Sequence, residues 1–396
     1  MGTATFFISF RWGFGLGLEK KVTVPIFCFF SSPTFLINFI RLVKIDVSKM
    51  FRIGNIIGVQ AKSVSGDWSI HCGRNDKTYS LRLTINTGKE DGVRILLASG
   101  PENPSELAEK AIAEIIESAK PSQIKGVLIS IHDFADFMGG FKKRGEPLFP
   151  GWPEGDDGER VAWVIFQELL SQVDYAIFIE GPEPGVTSIP HATIYSIDTP
   201  PTLSCHPELI KMMGHDLIVE KTGIKGSLAI EAQREFALPI LITQIDETEM
   251  TDKTLEWTKE KVNNFLSYAG LIPSCIEIPE RTFIATMTGE VRAANEGELS
   301  LDFSLFAFLS SGEKVGSILK KQNDKRIEVE NEGIGYVVRR RNEGHVLVDD
   351  FIYSLLEVHF RSFASSILYC NTLIDNSEMQ DVKIRGNELF RRLNRV

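Results

Sequence analysis

Residues 148–185 read LFPGWPEGDDGERVAWVIFQELLSQVDYAIFIEGPEPG, and they contain one helix followed by one buried strand. The run 159–172 places apolar residues at helical spacing. The run 174–181, DYAIFIEG, is short and almost continuously apolar, which is typical of a strand covered on both faces. A helix that leads directly into such a strand predicts one unit of an α/β fold. The strand ends in Ile179-Glu180, so a carboxylate stands at its carboxyl end.

The same alternation of strands and helices recurs on both sides of this segment. Three further strands are predicted at 78–86 (TYSLRLTIN), 93–99 (VRILLAS) and 124–131 (IKGVLISI). Two further helices are predicted at 104–120, capped by Ser105, and at 226–237, with a strand at 238–246 after the second. We therefore expect an α/β domain over residues 51–285 with a mixed sheet and helices on both faces. In such sheets the functional site lies beyond the carboxyl ends of the strands, here Ser99-Gly100, His132-Asp133, Ile179-Glu180 and Gln244-Ile245.

The pattern changes at about residue 285, where short strands separated by glycines begin. The runs EGELSLDF, KVGSIL, KRIEVE and IGYVVRRR have the length and spacing of strands in a small β-barrel or sandwich. We expect this C-terminal β-module to span residues 286–357. The tail at 358–396 is a candidate terminal helix.

Residues 1–50 form a leader whose status the sequence leaves open. Residues 22–40 carry no charge and are long enough to span a bilayer, but Pro25 and Pro33 dilute the run. The leader is therefore an artefact of a mis-assigned start ahead of Met50 or a disordered segment, a membrane anchor, or a packed segment. A membrane is a partner only if residues 22–40 are a true anchor.

The composition indicates a folded, acidic protein. Its 396 residues are 43% hydrophobic and 24% charged, with a formal net charge of −10. Nucleic acid is an unfavourable partner for such a chain, since the basic runs at 142–144 and 339–341 are short and are typical of solvated turns or strand edges. The five scattered cysteines favour a reducing compartment, and we expect a cytoplasmic protein.

The order of these segments resembles the succinylglutamate desuccinylase/aspartoacylase family, zinc-dependent deacylases related to the zinc carboxypeptidases. The most specific match is Phe149-Pro150-Gly151 followed by Pro153-x-Gly155 and a helix that begins with Glu159-Arg160. Four other segments agree, VRILLASGPENPSEL, KGVLISIHDFADF, DYAIFIEGPEPGVTSIPHATI and GSLAIEAQREFALPILITQID, and the β-rich region resembles the family's C-terminal module. Together they cover residues 80–357. The resemblance implies a zinc-carboxypeptidase-like mixed sheet flanked by helices.

The residues that the resemblance assigns to zinc do not match in this sequence. Family members hold one zinc with a histidine and a glutamate from a His-Gly-x-Glu loop and with a histidine that closes an Asp-Leu-His strand. Here the loop reads ASGPENPS, in which Gly100 has no donor atom and Glu102 or Asn103 lies near the second position. Glu180 stands at the position of the third ligand.

The positions for the base and the substrate clamp differ as well. Gln244 stands where the resemblance places a general base, and an amide cannot accept a proton at neutral pH. Glu146-Pro147 replaces the Asn-Arg pair that grips the substrate's carboxylate. We therefore predict no metal site and no cofactor.

Other residues offer alternatives. Glu180 and His132 are the candidate catalytic or ligating residues, and the alternative for His132 is a strand-end residue held by hydrogen bonds. Lys142, Lys143 and Arg144 are candidates for binding an anionic substrate, or else an exposed turn. Cys205-His206 and His215-Asp216 are either metal ligands together with Glu180 or scattered residues of a surface loop. Glu180, Glu183 and Asp246 are either paired acids or solvated strand ends.

Two functions follow from these observations. The first is a diverged, non-catalytic family member that binds a small acyl-amino-acid-like ligand or a protein partner. The alternative is an active hydrolase that cleaves amide or ester bonds with zinc held by non-standard ligands. Phosphate-binding and nucleophile-elbow motifs do not occur in the sequence.

Overall fold

The structure is a computed structural model. It describes residues 3–14, 18–29, 51–72, 77–100, 105–141, 155–183, 185–196, 207–223, 225–246, 252–274, 276–279, 282–320 and 324–359. The chain divides into two compact units, residues 1–49 and residues 50–396.

The first unit contains an antiparallel hairpin of β1 (Thr3–Phe14) and β2 (Leu18–Phe29). Residues 22–29 of the uncharged run therefore belong to a strand, and residues 30–40 lie outside the described part of the chain. In the described ranges, no helix has the length and hydropathy needed to cross a membrane.

The second unit begins with a small hairpin and then alternates strands with helices. The strands of its first part are β3 (Arg52–Ile53), β4 (Ile56–Ile57), β5 (Lys62–His71), β6 (Thr78–Thr87), β7 (Glu90–Ser99), β8 (Lys125–Ile131), β9 (Tyr175–Glu180), β10 (Val186–Ser188), β11 (His191–Ser196), β12 (Leu217–Thr222) and β13 (Ile240–Gln244). Its helices are α1 (Glu106–Ser118), α2 (Phe134–Gly139), α3 (Asp157–Glu168), α4 (Pro207–Lys211), α5 (Leu228–Phe236) and α6 (Asp252–Tyr268).

The second part is made of strands. They are β14 (Phe283–Arg292), β15 (Gly297–Leu301), β16 (Phe308–Leu309), β17 (Lys314–Lys320), β18 (Lys325–Glu330), β19 (Gly335–Arg341), β20 (Gly344–Val346) and β21 (Phe351–His359). The expected short strands of the C-terminal region are confirmed. The tail expected at 358–396 begins inside β21, which extends to His359, so a helix is wrong for its first two residues. Residues 360–396 lie outside the described residues.

One large mixed sheet organises the second unit, as expected. Its order is β10-β19-β21-β14-β12-β11-β13-β9-β7-β8-β6-β5, with β16 paired to β19. Strands β13, β9, β7 and β8 run parallel, so their carboxyl ends meet at one edge. Strand β11 runs antiparallel to β13, which brings the start of β11 to that same edge.

Helices cover both faces of this sheet. On one face, called the α3 face, side chains such as Phe178 and Ile242 pack with α2, α3 and α5. On the other, called the α1 face, Ile177 and Leu241 pack with α1, α4 and α6. Both faces of the central strands are therefore buried, as their continuous apolar runs predict.

The C-terminal β-region continues the large sheet. The boundary expected at 285/286, between the α/β domain and the C-terminal β-module, falls inside strand β14. This strand pairs with β12 in parallel and with β21 antiparallel. A separate four-stranded sheet, β18-β17-β15-β20, packs Leu299 and Ile318 in one core with Tyr353 of β21, which belongs to the large sheet. Residues 50–396 thus form one compact unit in which the two regions share a sheet.

Candidate functional site at the strand ends

Three of the expected positions come together at the carboxyl edge of the sheet. Glu180 pairs with Gln244 in the register of β9 and β13, and Gly100 directly follows Ser99, the partner of Ile179. Side chains alternate between the faces of a strand, and Ala98, Phe178 and Ile242 lie on the α3 face. Gly100, Glu180 and Gln244 therefore also lie on the α3 face, in a row across three neighbouring strands.

Glu180 fills the space beside Gly100. A Cβ atom added to Gly100 would lie 2.0 Å from Glu180 Cγ and 2.7 Å from its Oε1. The main chains are joined as well, since the Gly100 amide donates to the Ile179 carbonyl at 2.7 Å. Any side chain at position 100 would require Glu180 to move. Gly100 and Glu180, which both differ from the family pattern, are thus sterically linked.

Gln244 uses its amide nitrogen to bind the main chain. Its Nε2 donates to the carbonyl oxygens of Glu180 at 3.1 Å and of Gly181 at 2.6 Å. The side chain is buried. Carbonyl oxygens only accept hydrogen bonds, so an amide donor satisfies them and a carboxylate would not. Gln244 therefore supports the turn after β9.

His191 extends the row, and the sequence analysis did not single it out. It is the first residue of β11 and pairs with Gln244. Its Nδ1 lies 2.6 Å from the Ile189 carbonyl oxygen, so Nδ1 carries the proton and Nε2 is the free lone pair. Nε2 is buried and has no hydrogen-bond partner among the described residues. Local sequence patterns do not predict this position of His191, because β11 reaches the row only by pairing antiparallel with β13.

The pKa of His191 falls to about 3, chiefly because the ring is buried and also because Lys221 and Arg339 lie nearby. The hydrogen bond to Ile189 acts in the opposite direction. The ring is therefore neutral at physiological pH. Neighbouring strands lie ~4.8 Å apart, so the backbones of His191 and Glu180 are about 10 Å apart across β13.

His132 lies on the other face of the sheet. Its Nε2 is 2.8 Å from Thr84 Oγ1, and Thr84 in turn bonds Ser65. The neighbours of Thr84 in its strand, Leu83 and Ile85, belong to the α3 face, so Thr84 and His132 lie on the α1 face. The structure therefore does not bring Glu180 and His132 together.

A half-buried acid, Glu109, lies near His132. Ser99 Oγ donates to Glu109 Oε1 on α1, and the main-chain N–H of Asp133 also bonds this carboxylate. Burial raises the pKa of Glu109, while these two hydrogen bonds and the nearby His132 act to lower it. This cluster joins α1 to the ends of β7 and β8 on the α1 face.

Glu183 and the arginine run at 339–341 form ion pairs. Arg339 Nη2 lies 2.8 Å from Glu183 Oε1, and its Nη1 lies 3.5 Å from Glu290. Only 8% of the Arg339 side chain is exposed, and its guanidinium lies over the Phe351 ring. The expectation of a solvated run is wrong for Arg339. It links the loop after β9 to the C-terminal β-region.

His215 is also buried, so the expectation of a surface-loop residue is wrong for it. Its Nε2 lies 3.3 Å from Thr243 Oγ1, and its ring contacts Trp257 of α6 edge-on. Thr243 lies on the α1 face, opposite Glu180. Burial holds the pKa of His215 well below its usual value, with smaller contributions from Lys261 and His191. Its packing is that of a core residue.

Several candidates lie outside the described residues. They are Glu102, Asn103, Lys142, Lys143, Arg144, Glu146, Pro147, Cys205 and His206. Within the described ranges, no three His, Cys, Asp or Glu side chains lie close enough together to hold a metal ion. The zinc that the fold implies would meet Gly100, Glu180 and His191 in this row, which do not supply the three converging donors of a catalytic site.

Comparisons with known proteins agree on the fold. No protein-family model matches the sequence, and no curated protein matches it. The structure is similar to a succinylglutamate desuccinylase/aspartoacylase from Rhodobacter sphaeroides, with 17% identity, a TM-score of 0.66 and coverage of 78% of this chain and 100% of that chain.

Two further solved structures give the same result. One is the product-bound ectoine utilization protein from Ruegeria pomeroyi, with 19% identity, a TM-score of 0.64 and coverage of 74% of this chain and 94% of that one. The other is an aspartoacylase family protein from Mesorhizobium loti, with 15% identity, a TM-score of 0.62 and coverage of 76% and 96%. The chain therefore has the fold of the succinylglutamate desuccinylase/aspartoacylase structures, as its sequence predicts.

Proposed function

We propose that this protein is a diverged, non-catalytic relative of the deacylases that share its fold, and that it binds a small acyl-amino-acid-like ligand at the strand-end row. One observation carries the proposal. At the ends of β7, β9 and β13, Glu180 occupies the space beside Gly100, and the amide of Gln244 is bonded to the turn after β9.

The chemistry of these three residues supports binding over catalysis. Gly100 offers no donor to a metal, and Gln244 cannot take a proton from an attacking water. Both changes leave the sheet edge and its flanking helices in place. The row therefore keeps the framework of the deacylase fold without the groups that would activate water against a bound ligand.

The alternative function, a metal-dependent hydrolase, has one observation in its favour. The neutral His191 carries an unpartnered Nε2 on the same face as Glu180, and imidazole is a common ligand of catalytic zinc. The row thus holds one imidazole and one carboxylate. A third donor would have to come from outside the described residues.

A binding and turnover experiment separates the two functions. The full-length protein is incubated with N-acetyl and N-succinyl amino acids, and NMR follows both ligand contact by saturation transfer and release of free amino acid. We expect contact without release, and weaker contact in Glu180→Ala but not in Glu235→Ala, an exposed control on α5. Release that Glu180→Ala and a chelator both abolish would establish the hydrolase instead.

A further inference from the structure

A cleft with a volume of about 450 Å³ lies away from the strand-end row, in the unit formed by residues 50–396. Three separate segments form it, the β3–β4 turn, the edge strand β5 and the end of α3. Its lining consists of Arg52, Gly54, Asn55, Ser69, His71, Glu168 and Gln172. None of these residues belongs to the strand-end row, so the two sites are independent.

The walls of this cleft are held by hydrogen bonds. Asn55 Nδ2 donates to the Asp67 carbonyl at 2.9 Å, and Asn55 Oδ1 accepts from the Ser69 amide at 3.0 Å. The amide side chain of Asn55 thereby occupies the open edge of β5 as another strand would. The turn that carries Arg52 and Gly54 is consequently fixed against the sheet.

The cleft contains two opposite charges that do not neutralise each other. Arg52 donates through Nε to the Gly54 carbonyl at 2.6 Å, which orients the guanidinium and leaves its Nη groups available. Glu168 is the last residue of α3, a helix with no basic residue in its last turn. In the described part of the chain, neither side chain forms an ion pair, although both line the same cleft.

Beneath Gly54, which lines the cleft, lies a buried hydrogen-bond donor without a partner among the described residues. Trp68 is fully buried, and its Nε1 has no partner among the described residues. Gly54 lies directly against it at φ +51°, and a Cβ there would lie 2.2 Å from Nε1 and 3.4 Å from Glu168 Oε2. Nε1 and the Glu168 carboxylate are therefore within about 5.6 Å of each other. Buried polar groups without a partner are rare.

We propose that this cleft binds a small zwitterion of the amino-acid class. The ligand's carboxylate lies on the Nη groups of Arg52, whose fork matches a carboxylate. Its ammonium lies on Glu168 and the partial negative charge at the end of α3. The volume falls within the range of small-ligand sites. The two contacts are solvent-exposed, so we expect a weak Kd, on the order of tens of millimolar.

The test follows the indole N–H resonance of Trp68 in the ¹⁵N-labelled full-length chain, which has five tryptophans; Trp68→Phe assigns the peak. The titrants are the zwitterions glycine, β-alanine and 4-aminobutyrate, their ethyl esters, which lack the anion, and their N-acetyl forms, which lack the cation. We expect at least one zwitterion to give a saturable shift, and its two blocked forms to bind roughly two- to fivefold more weakly.

Matched substitutions complete the experiment. Arg52→Gln and Glu168→Gln should each weaken binding of that zwitterion by roughly two- to fivefold. Arg326→Gln on β18 and Glu117→Gln on α1, which change exposed residues elsewhere, should leave it unchanged. Equal binding by the blocked forms, unchanged affinity in both cleft variants, or no saturable shift up to about 100 mM ligand would each overturn the proposal.

Discussion

At the scale of single residues, the strand-end row shows how one position constrains the next. Gly100 is required by the side chain of Glu180, which occupies the volume that a Cβ would enter. A ligating side chain at position 100 would therefore have to displace the Glu180 side chain.

A double-mutant cycle tests this linkage. Gly100→Ala should lower the free energy of unfolding by about 1–3 kcal/mol, because its Cβ overlaps Glu180. Adding Glu180→Ala should remove that penalty, which gives a favourable coupling of about 1 kcal/mol or more in urea denaturation. Additive effects of the two substitutions would show that the side chains do not share this space.

A second prediction concerns His191 and acid stability. Its folded-state pKa of about 3 lies below the ordinary 6.5, so folding favours the neutral ring. The stability from the neutral ring is complete above about pH 6.5 and is lost as the pH falls toward about 3, at ~1.4 kcal/mol per pH unit. His215 acts in the same direction.

The measurement is the urea-unfolding free energy of wild type and His191→Gln at pH 8, 6, 5 and 4. The variant should be less stable at pH 8 if the buried amide lacks partners. Between pH 6 and 4 its stability should decline less steeply, by ~1.4 kcal/mol per unit. Parallel pH profiles for the two proteins would mean that His191 is not buried as a neutral ring.

At the scale of elements, α3 begins where its polar residues dictate. Asp156 accepts from the Glu159 amide at 3.0 Å, and Glu159 accepts from the Asp156 amide at 2.8 Å, which makes a capping box. Asp156→Ala should cost about 1 kcal/mol in unfolding free energy, and Asp156→Ser should retain most of it. Thermal or urea denaturation of both variants measures these free energies. An Asp156→Ala protein as stable as wild type would contradict a stabilising role of the cap.

The sequence predicts the elements better than their ends. The Ser105 cap is confirmed, since its hydroxyl accepts from the Ala108 amide at 2.9 Å. The helix expected over 159–172 ends at Glu168, and a 3-10 turn covers Leu170–Gln172. Leu169 and Leu170 are both buried, so the apolar pattern continues through the turn and conceals the end of the helix.

At the scale of the whole molecule, local patterns predict the layers but not which strands pair. The mixed sheet with helices on both faces follows from the alternation of elements, and the solved structures share it. The sharing of one sheet by both regions does not follow from that alternation, because β14 pairs with β12 and with the distant β21. His191 was missed for the same reason, since its place in the row depends on antiparallel pairing with β13.

The central claim is that the strand-end row carries no catalytic zinc. The direct measurement is the zinc content of the full-length protein, expressed with added zinc and purified without chelator. Such a site would retain its ion through purification, since structural and catalytic zinc binds tightly. We predict fewer than about 0.1 zinc per chain, as expected for a row without three converging donors. About one zinc per chain, lost with a chelator together with amide hydrolysis, would contradict it.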